Sequence, residues 1–321
     1  MPSKKRIAVW MSEKKIQKIN WQELVSVSNK HGFDVFKLNL NKNIRDQEPF
    51  CVVLHKLTDI IASANQGDIK SADIINEVEQ YFRENPSVII MDPISNVRRL
   101  LDRYNCYTMI EGTDLRSYGI FTPNFCVLRT SSLDVIKKQL NSALVTFPFI
   151  CKPLLGHGSR QAHEMSIIFD EKYLADCRTP CVAQSFVNHN AVLYKIFIVG
   201  EKFCFVERPS LKNFYATQRE TIHFDSSDVS KADSKSRLSV LDPEDIHKEC
   251  TKPDHKTMQV IANTLRRCFG MDLLGIDFVI ETSSGRYAII DVNAYPGYDG
   301  FPNFYEALLE CISTKLPLIT D

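Results

Sequence analysis

The chain has 321 residues, with 39 Lys+Arg balanced by 39 Asp+Glu, 44% hydrophobic residues and 24% charged ones. This composition excludes wholesale disorder, and the zero net charge argues against a generic nucleic-acid binder, which needs surplus cations. The zero hides an asymmetry: residues 1–60 carry eleven Lys/Arg and six Asp/Glu, net +5, while residues 266–321 carry four and eight, net −4.

The length suggests two or three domains. No apolar run approaches the roughly 18 residues of a membrane span. The stretch Ile7–Met11 is too short for a signal-peptide core of about 7–15 residues, so no membrane role is expected. Ten cysteines are scattered through apolar contexts without a C-x-x-C pair. That pattern predicts reduced thiols in a cytoplasmic protein rather than a disulfide framework or a zinc site.

In chain order, Arg6–Met11, Phe33–Leu38, Cys51–Leu54 and Val88–Met91 read as strands, with helices over Trp21–His31 and Lys70–Glu84 between them. This β-α-β order predicts a mostly parallel, helix-covered sheet. No G-x-G-x-x-G fingerprint accompanies it, so a dinucleotide site there is unsupported. A helix over Ile94–Ile110 leads into strands at Phe121–Leu128, Phe147–Pro153, Glu164–Phe169 and Cys181–Val187. Two runs, Ala191–Val199 and Phe203–Glu207, read as a hairpin. The Ser/Asp/Lys-rich stretch 225–254 reads as a long surface loop. A helix (Asp254–Phe269), a second hairpin (Gly275–Asn293) and a closing helix (Pro302–Thr314) complete the chain.

The second hairpin is the most informative segment. With its turn centred on Ser284, Asp277 lies opposite Asp291, and Asn293 shares the face of Asp291 because strand side chains alternate. Like charges facing each other on a strand pair are destabilising, and a divalent cation between them relieves the cost. Two carboxylates and a carboxamide are hard oxygen donors, suited to Mg²⁺ bridging to phosphates. Lys152 and Lys195 end or interrupt apolar strands, where a cation needs an anionic partner such as phosphate or else marks a protected sheet edge. A protein kinase is excluded because the H-R-D loop is missing, and a P-loop enzyme because G-x-x-x-x-G-K-[ST] is absent.

A strand lysine, a Gly-containing loop, the connecting segment Gln184-Ser-Phe-Val, a second strand lysine and then Asp…Asp-x-Asn on a hairpin: this order resembles the ATP-grasp fold. More closely, Trp10-Met-Ser-Glu-Lys-Lys15, Lys56-Leu-Thr-Asp59, Leu100-Leu-Asp-Arg103, Phe147-Pro-Phe-Ile-Cys-Lys152, Gln184 through Lys195, Arg208-Pro-Ser-Leu-Lys-Asn-Phe214 and Ile290-Asp-Val-Asn-Ala-Tyr-Pro-Gly297 resemble the inositol-tetrakisphosphate 1-kinase (inositol 1,3,4-trisphosphate 5/6-kinase) family. The similarity runs nearly the length of the chain.

The resemblance implies an α/β (α+β) architecture: a Rossmann-like, parallel-sheet domain over 1–103, a central ATP-grasp subdomain over 104–187 and a C-terminal one over 188–321. It implies that Arg103 and Lys152 hold ATP phosphates, and that Gln184, Ser185, Phe186, Val187, Asn188 and His189 line the adenine side. Ser210, Ser226 and Ser230 complete the nucleotide site, and Lys195 meets both substrates. Asp277, Asp291 and Asn293 would bind two Mg²⁺ ions. Lys15, Lys56, His163, Lys195, Asn293 and the backbone at Gly297 would receive an inositol polyphosphate, with His157 a rival to His163. Lys14 and Lys18 extend that cationic wall, with Arg98 and Arg99 as further candidates or simply a solvated helix face.

The expected reaction is direct transfer of the γ-phosphoryl group of ATP to a ring hydroxyl by a monomer. No nucleophile is placed for a phosphoenzyme. Two alternatives remain at this point: an ATP-grasp carboxylate–amine ligase, and a non-catalytic inositol-phosphate-binding protein.

Overall fold

The computed structural model describes residues 5–39, 41–47, 49–156, 160–231, 233–246 and 251–316. His157 lies outside the described residues.

The N-terminal segment begins with β1 (Lys5–Trp10), a short helix α1 (Glu13–Ile16), α2 (Trp21–Lys30), β2 (Phe33–Lys37) and β3 (Val52–His55). There follow α3 (Thr58–Asn65), α4 (Ile69–Glu84) and β4 (Ile89–Met91). The four strands form an all-parallel sheet in the order β2-β1-β3-β4. Burial on both faces explains why β1 is apolar from Ile7 onward. Ala8 and Trp10 enter one core, while Ile7, Val9 and Met11 enter another on the opposite face.

Both cores continue into the C-terminal sheet. The first takes Ile196, Ile276 and Phe278, and the second takes Phe197, Val199 and Leu273. Asp92 reinforces the join, its buried carboxylate accepting from the Asp272 and Leu273 amides at 2.8 and 2.9 Å. The parallel-sheet segment is thereby welded to the far end of the chain.

The stretch read as one helix over Ile94–Ile110 is two, α5 (Ile94–Leu101) and α6 (Arg103–Glu111). Asp102 between them is extended (φ −85°, ψ 112°), bridges to Leu155, and caps α6 by accepting from the Asn105 amide at 2.9 Å. A short polar side chain that satisfies an orphan helix donor outcompetes continued helix here. The break sets Arg103 at the base of α6, where its amide donates to the Leu154 carbonyl.

The expected strand Phe121–Leu128 also divides, into β5 (Ile120–Phe121) and β6 (Phe125–Leu128), which belong to different sheets. Pro123 between them has no amide to offer a ladder. After α7 (Leu133–Ser142), which was not among the expected elements although Leu133, Ile136 and Leu140 recur at helical spacing, come β7 (Phe149–Pro153), β8 (Glu164–Ile168) and β9 (Cys181–Ser185). Next are β10 (Val192–Val199), β11 (Lys202–Pro209) and β12 (Ile222–Asp225). The described residues of the 225–254 stretch hold a short helix α8 (Ser226–Val229) and a 3-10 turn at Arg237–Ser239, and Asp245 accepts from the Tyr215 hydroxyl at 2.9 Å. Helix α9 (His255–Phe269), β13 (Leu273–Ile280), β14 (Tyr287–Ala294) and α10 (Phe304–Lys315) complete the fold.

Two five-stranded sheets result, β11-β10-β13-β14-β5 and β12-β8-β7-β9-β6. The second has its own core around Leu128, Leu140, Phe149 and Leu174. Strand β5, from the central segment, sits in the C-terminal sheet, and β12, from the C-terminal segment, sits in the central sheet. The nine described cysteines are free thiols. Among the described residues no helix is long and apolar enough to cross a membrane.

Candidate active site

The site is built on three adjacent strands. Asp277 on β13 stands directly opposite Asp291 on β14, and Lys195 on β10 stands directly opposite Asp277 from the other side. Directly paired residues share a face of the sheet, so a cation and two carboxylates form one row. Asn293, two residues beyond Asp291, joins them on that face. The Lys195 ammonium is 3.1 Å from Asp277 Oδ1, and Asn293 Nδ2 is 3.5 Å from Asp277 Oδ2. Despite the nearby ammonium, Asp277 Oδ1 is buried without an aligned hydrogen-bond donor. Burial raises the Asp277 carboxyl above its ordinary value; Lys195 opposes the rise and Asp291 adds to it.

The register slips by one residue just past Asp277. Asp277 pairs with Asp291, but Phe278 pairs with Ile289, so Ile290 has no partner. This β-bulge takes the Ile290 carbonyl out of the ladder. The carbonyl accepts instead from the Lys152 ammonium at 2.7 Å and the Tyr107 hydroxyl at 2.8 Å. Lys152 also donates to Gln184 Oε1 at 2.7 Å and to the Tyr107 oxygen at 3.1 Å. It is 4% exposed, and burial lowers its pKa to about 8, with Asp291 favouring the charge and Arg103 opposing it. Arg103 is equally buried. It donates to the carbonyls of Pro153 (2.6 Å) and Ala162 (3.3 Å), and its guanidinium lies 3.9 Å from Asp291 Oδ2.

These groups open on one cavity of about 300 Å³. Its polar wall is made of Arg103, Lys152, His163, Lys195, Asp277, Asp291 and Asn293, and its far side of Ser210, Ser226 and Ser230. Ile150, Met165, Leu193, Leu211 and Phe224 supply an apolar floor. His163 is exposed at the edge, its Nδ1 3.4 Å from Ser226 Oγ. Such a mixture, apolar surface with convergent charges, suits a nucleotide.

The remaining sequence candidates lie elsewhere. Gln184 reaches the cavity only through Lys152. Ser185, Phe186 and Val187 line a separate hollow with Thr122 and Asn124, and Ser185 Oγ accepts from the Thr146 amide at 3.0 Å. Asn188 accepts from the Phe214 amide at 2.8 Å. His189 is buried between the Val187 carbonyl (2.6 Å) and Ser210 Oγ (2.7 Å), and burial lowers its pKa to about 4. The side chains of Asn188 and His189 are therefore engaged in holding the connecting segment and Ser210.

At the N-terminal wall, Lys15 gives its donors to the Lys56 carbonyl (2.8 Å), Thr58 Oγ1 (2.9 Å) and Asp59 Oδ1 (2.7 Å). Lys56 Nζ lies 5.2 Å from the centre of the Tyr295 ring. Burial first, then the charges of Lys15 and Lys18, lower its pKa to about 8. Tyr295 begins the segment through Gly297 to Asp299 that follows Asn293, so the basic head does meet the acidic tail. Lys14 and Lys18 are exposed. Arg98, half-buried, pairs with Glu79 at 3.3 Å, and the exposed Arg99 donates to Asn96 at 2.7 Å.

Sequence reasoning missed Tyr107. A tyrosine buried beside Cys106 and Ile110 on a helix carries no sequence signal distinguishing it from core.

Residues 116–314 match the inositol 1,3,4-trisphosphate 5/6-kinase ATP-grasp domain, and residues 6–97 match the pre-ATP-grasp domain of the same family. The chain is 42% identical over 316 residues to inositol-tetrakisphosphate 1-kinase of Danio rerio, covering 97% of this chain and 79% of the relative. The figures for the Xenopus laevis protein are the same. An inositol-tetrakisphosphate 1-kinase 1 of Oryza sativa subsp. indica is 28% identical, covering 95% and 84% of the two chains. Among solved structures, a D-cycloserine synthetase matches with a TM-score of 0.63 at 12% identity, covering 97% of this chain and 100% of the other. D-alanine–D-alanine ligase of Bacillus anthracis matches at 0.55 and 14%, covering 97% and 96%. These two likenesses show the ATP-grasp fold alone.

Proposed function

The chain belongs to the inositol 1,3,4-trisphosphate 5/6-kinase family, and on that footing we propose that it transfers the γ-phosphoryl group of ATP to a ring hydroxyl of an inositol tris- or tetrakisphosphate. The observation that carries the reading is the row Lys195–Asp277–Asp291, with Asn293 beside it, opening on the same cavity as Lys152 and Arg103.

Adenine fits against Ile150, Met165, Leu211 and Phe224, and the phosphates extend toward Lys152 and Arg103. Two carboxylates directly opposite each other, one with a buried oxygen lacking an aligned donor, fit a divalent cation. Asp277, Asp291 and Asn293 would hold Mg²⁺. When bound, Mg²⁺ neutralises charge on the phosphates.

Lys195, fixed over Asp277, faces both the nucleotide and its acceptor. Lys56, beside the Tyr295 ring, supplies a cation to the segment after Asn293, and Lys15 acts by holding Lys56 and Asp59 in place. His163, at the cavity edge, is placed to orient the acceptor hydroxyl or take its proton. Catalysis on this reading is positioning and fixed charge. We also take the protein to be a cytoplasmic monomer.

The test is incubation with γ-labelled ATP, Mg²⁺ and a panel of inositol phosphate isomers, followed by separation of the products. Label should appear in at least one inositol phosphate. Its absence from every isomer would sink the assignment.

A further inference from the structure

We infer that Tyr107 is a positioning residue for phosphate binding: its hydroxyl ties Lys152 to the bulged carbonyl of Ile290, and so sets the lysine relative to Asp291. The inference rests on the reading of Lys152 as a phosphate-holding cation and adds the group that aims it.

Three observations support it. Tyr107 is fully buried, and its hydroxyl proton goes to the Ile290 carbonyl at 2.8 Å. That leaves an oxygen lone pair free to accept from Lys152 Nζ at 3.1 Å, so the hydroxyl is a relay between a side chain of one sheet and the backbone of the other. Second, Ile290 is the bulge residue and Asp291 is its neighbour. A carbonyl released from the ladder must find donors, and here it finds both Tyr107 and Lys152. The contact therefore fixes the lysine against the strand that carries Asp291.

Third, the partners of Lys152 are unequal. Its ammonium has three protons, donated to Tyr107, Ile290 and Gln184. Tyr107 and Ile290 are bonded to each other and cannot easily turn away. Gln184 is held differently: its Nε2 is buried without a partner among the described residues. An incoming phosphate oxygen can replace the Gln184 oxygen, while Tyr107 and Ile290 keep the other two protons and hence the direction of the third. Tyr107 thus acts through Lys152 and touches no substrate itself.

The experiment compares Tyr107→Phe, Lys152→Met and the double variant in the full-length protein, measuring affinity for ATP and for adenosine and the KM for the inositol phosphate. Tyr107→Phe keeps the ring, and Lys152 still satisfies Ile290. It should weaken ATP binding about tenfold, the scale of one hydrogen bond to a charged group, with adenosine affinity and inositol phosphate KM unchanged. In the Lys152→Met background, removal of the hydroxyl should cost ATP affinity less than twofold. Three results would overturn the proposal: equal loss for adenosine and ATP, which marks a merely structural role; ATP affinity unaffected by Tyr107→Phe while Lys152→Met abolishes it; or additive losses in the double variant. If Lys152→Met itself binds ATP as the parent does, the phosphate-holding reading of Lys152 fails and takes the inference with it.

Discussion

Lys195 and Asp277 stand directly opposite one another on adjacent strands, with the ammonium 3.1 Å from the carboxylate. On its other side Asp277 faces Asp291, so one lysine serves a row of two carboxylates. Removing it as Lys195→Met leaves Asp277 buried against a like charge. The expected loss of unfolding free energy is on the order of 2 kcal/mol, and turnover should fall by at least about 100-fold. Mg²⁺ should raise the melting temperature of this variant more than that of the parent, because an added cation replaces the missing charge. Thermal unfolding with and without Mg²⁺ measures both.

Asp291→Asn keeps shape and removes charge. Turnover should fall by roughly two orders of magnitude, and the Mg²⁺ concentration for half-maximal rate should rise. A titration of rate against Mg²⁺ checks this. Unchanged turnover at saturating Mg²⁺ would show that Asp291 holds no metal.

On the proposed reading of Lys56 as an acceptor-binding cation, substrate affinity is linked to pH. Its pKa is lowered from 10.5 to about 8 by burial and by Lys15 and Lys18, with Asp59 and Asp299 opposing. The charged form that attracts a polyanion is thus lost as pH rises through about 8. At saturating ATP, kcat/KM for the inositol phosphate should decline above that point, since this ratio reports the enzyme without its acceptor. Lys56→Met should raise the acceptor KM about tenfold, flatten the decline and leave the ATP KM alone. Stability has the opposite sign: between about 8 and 10.5 the unfolded chain binds the proton that the fold refuses, so this lysine burdens the fold less as pH rises.

Gly275 pairs with Asn293, and a Cβ there would lie 2.9 Å from Pro296 Cγ and 3.0 Å from its Cβ. No side chain fits without moving the proline. Gly275→Ala should therefore displace the Tyr295–Asp299 segment and raise the inositol phosphate KM several-fold more than the ATP KM. Steady-state kinetics with each substrate varied would show it; equal changes in both would contradict the placement.

Acid should destabilise the protein between pH 6.5 and 4. Burial lowers both His55 and His189 from 6.5 to about 4. In that window the unfolded chain takes up two protons that the fold excludes, and stability falls with pH. Asp92, raised to about 6 by burial, opposes them, since the fold binds its proton first. The net loss is on the order of a few kcal/mol. Urea unfolding at pH 6.5, 5 and 4 measures it, and His189→Gln should make the decline shallower.

Much of this was legible in the sequence because it obeys short periods. The parallel sheet followed from apolar runs alternating with helical patterns. Counting outward from Ser284 reached the right Asp277–Asp291 pair only because the bulge at Ile290 shifts the register by one: nearer the turn, Phe278 pairs with Ile289 and Ile280 with Tyr287. The failures have local causes. Asp102 ended a helix that the apolar spacing would have continued, and Pro123 split a strand that looked uniform. The bulge at Ile290 leaves no compositional mark, so the shared carbonyl of Lys152 and Tyr107 was invisible. The cationic wall was legible as charge but not as structure: nothing in the sequence distinguishes Lys15, spent on Asp59, from Lys56 beside Tyr295.

The placement of β5 and β12 has a consequence for how the molecule comes apart. Each of the two five-stranded sheets borrows one strand from the stretch of chain that builds the other, so the halves are laced together like clasped hands. Cutting the gene near residue 187 would leave each fragment with a bare sheet edge and a stray strand. The fragments should recover a fold only when mixed, and the lacing limits how widely the cleft can gape to release product.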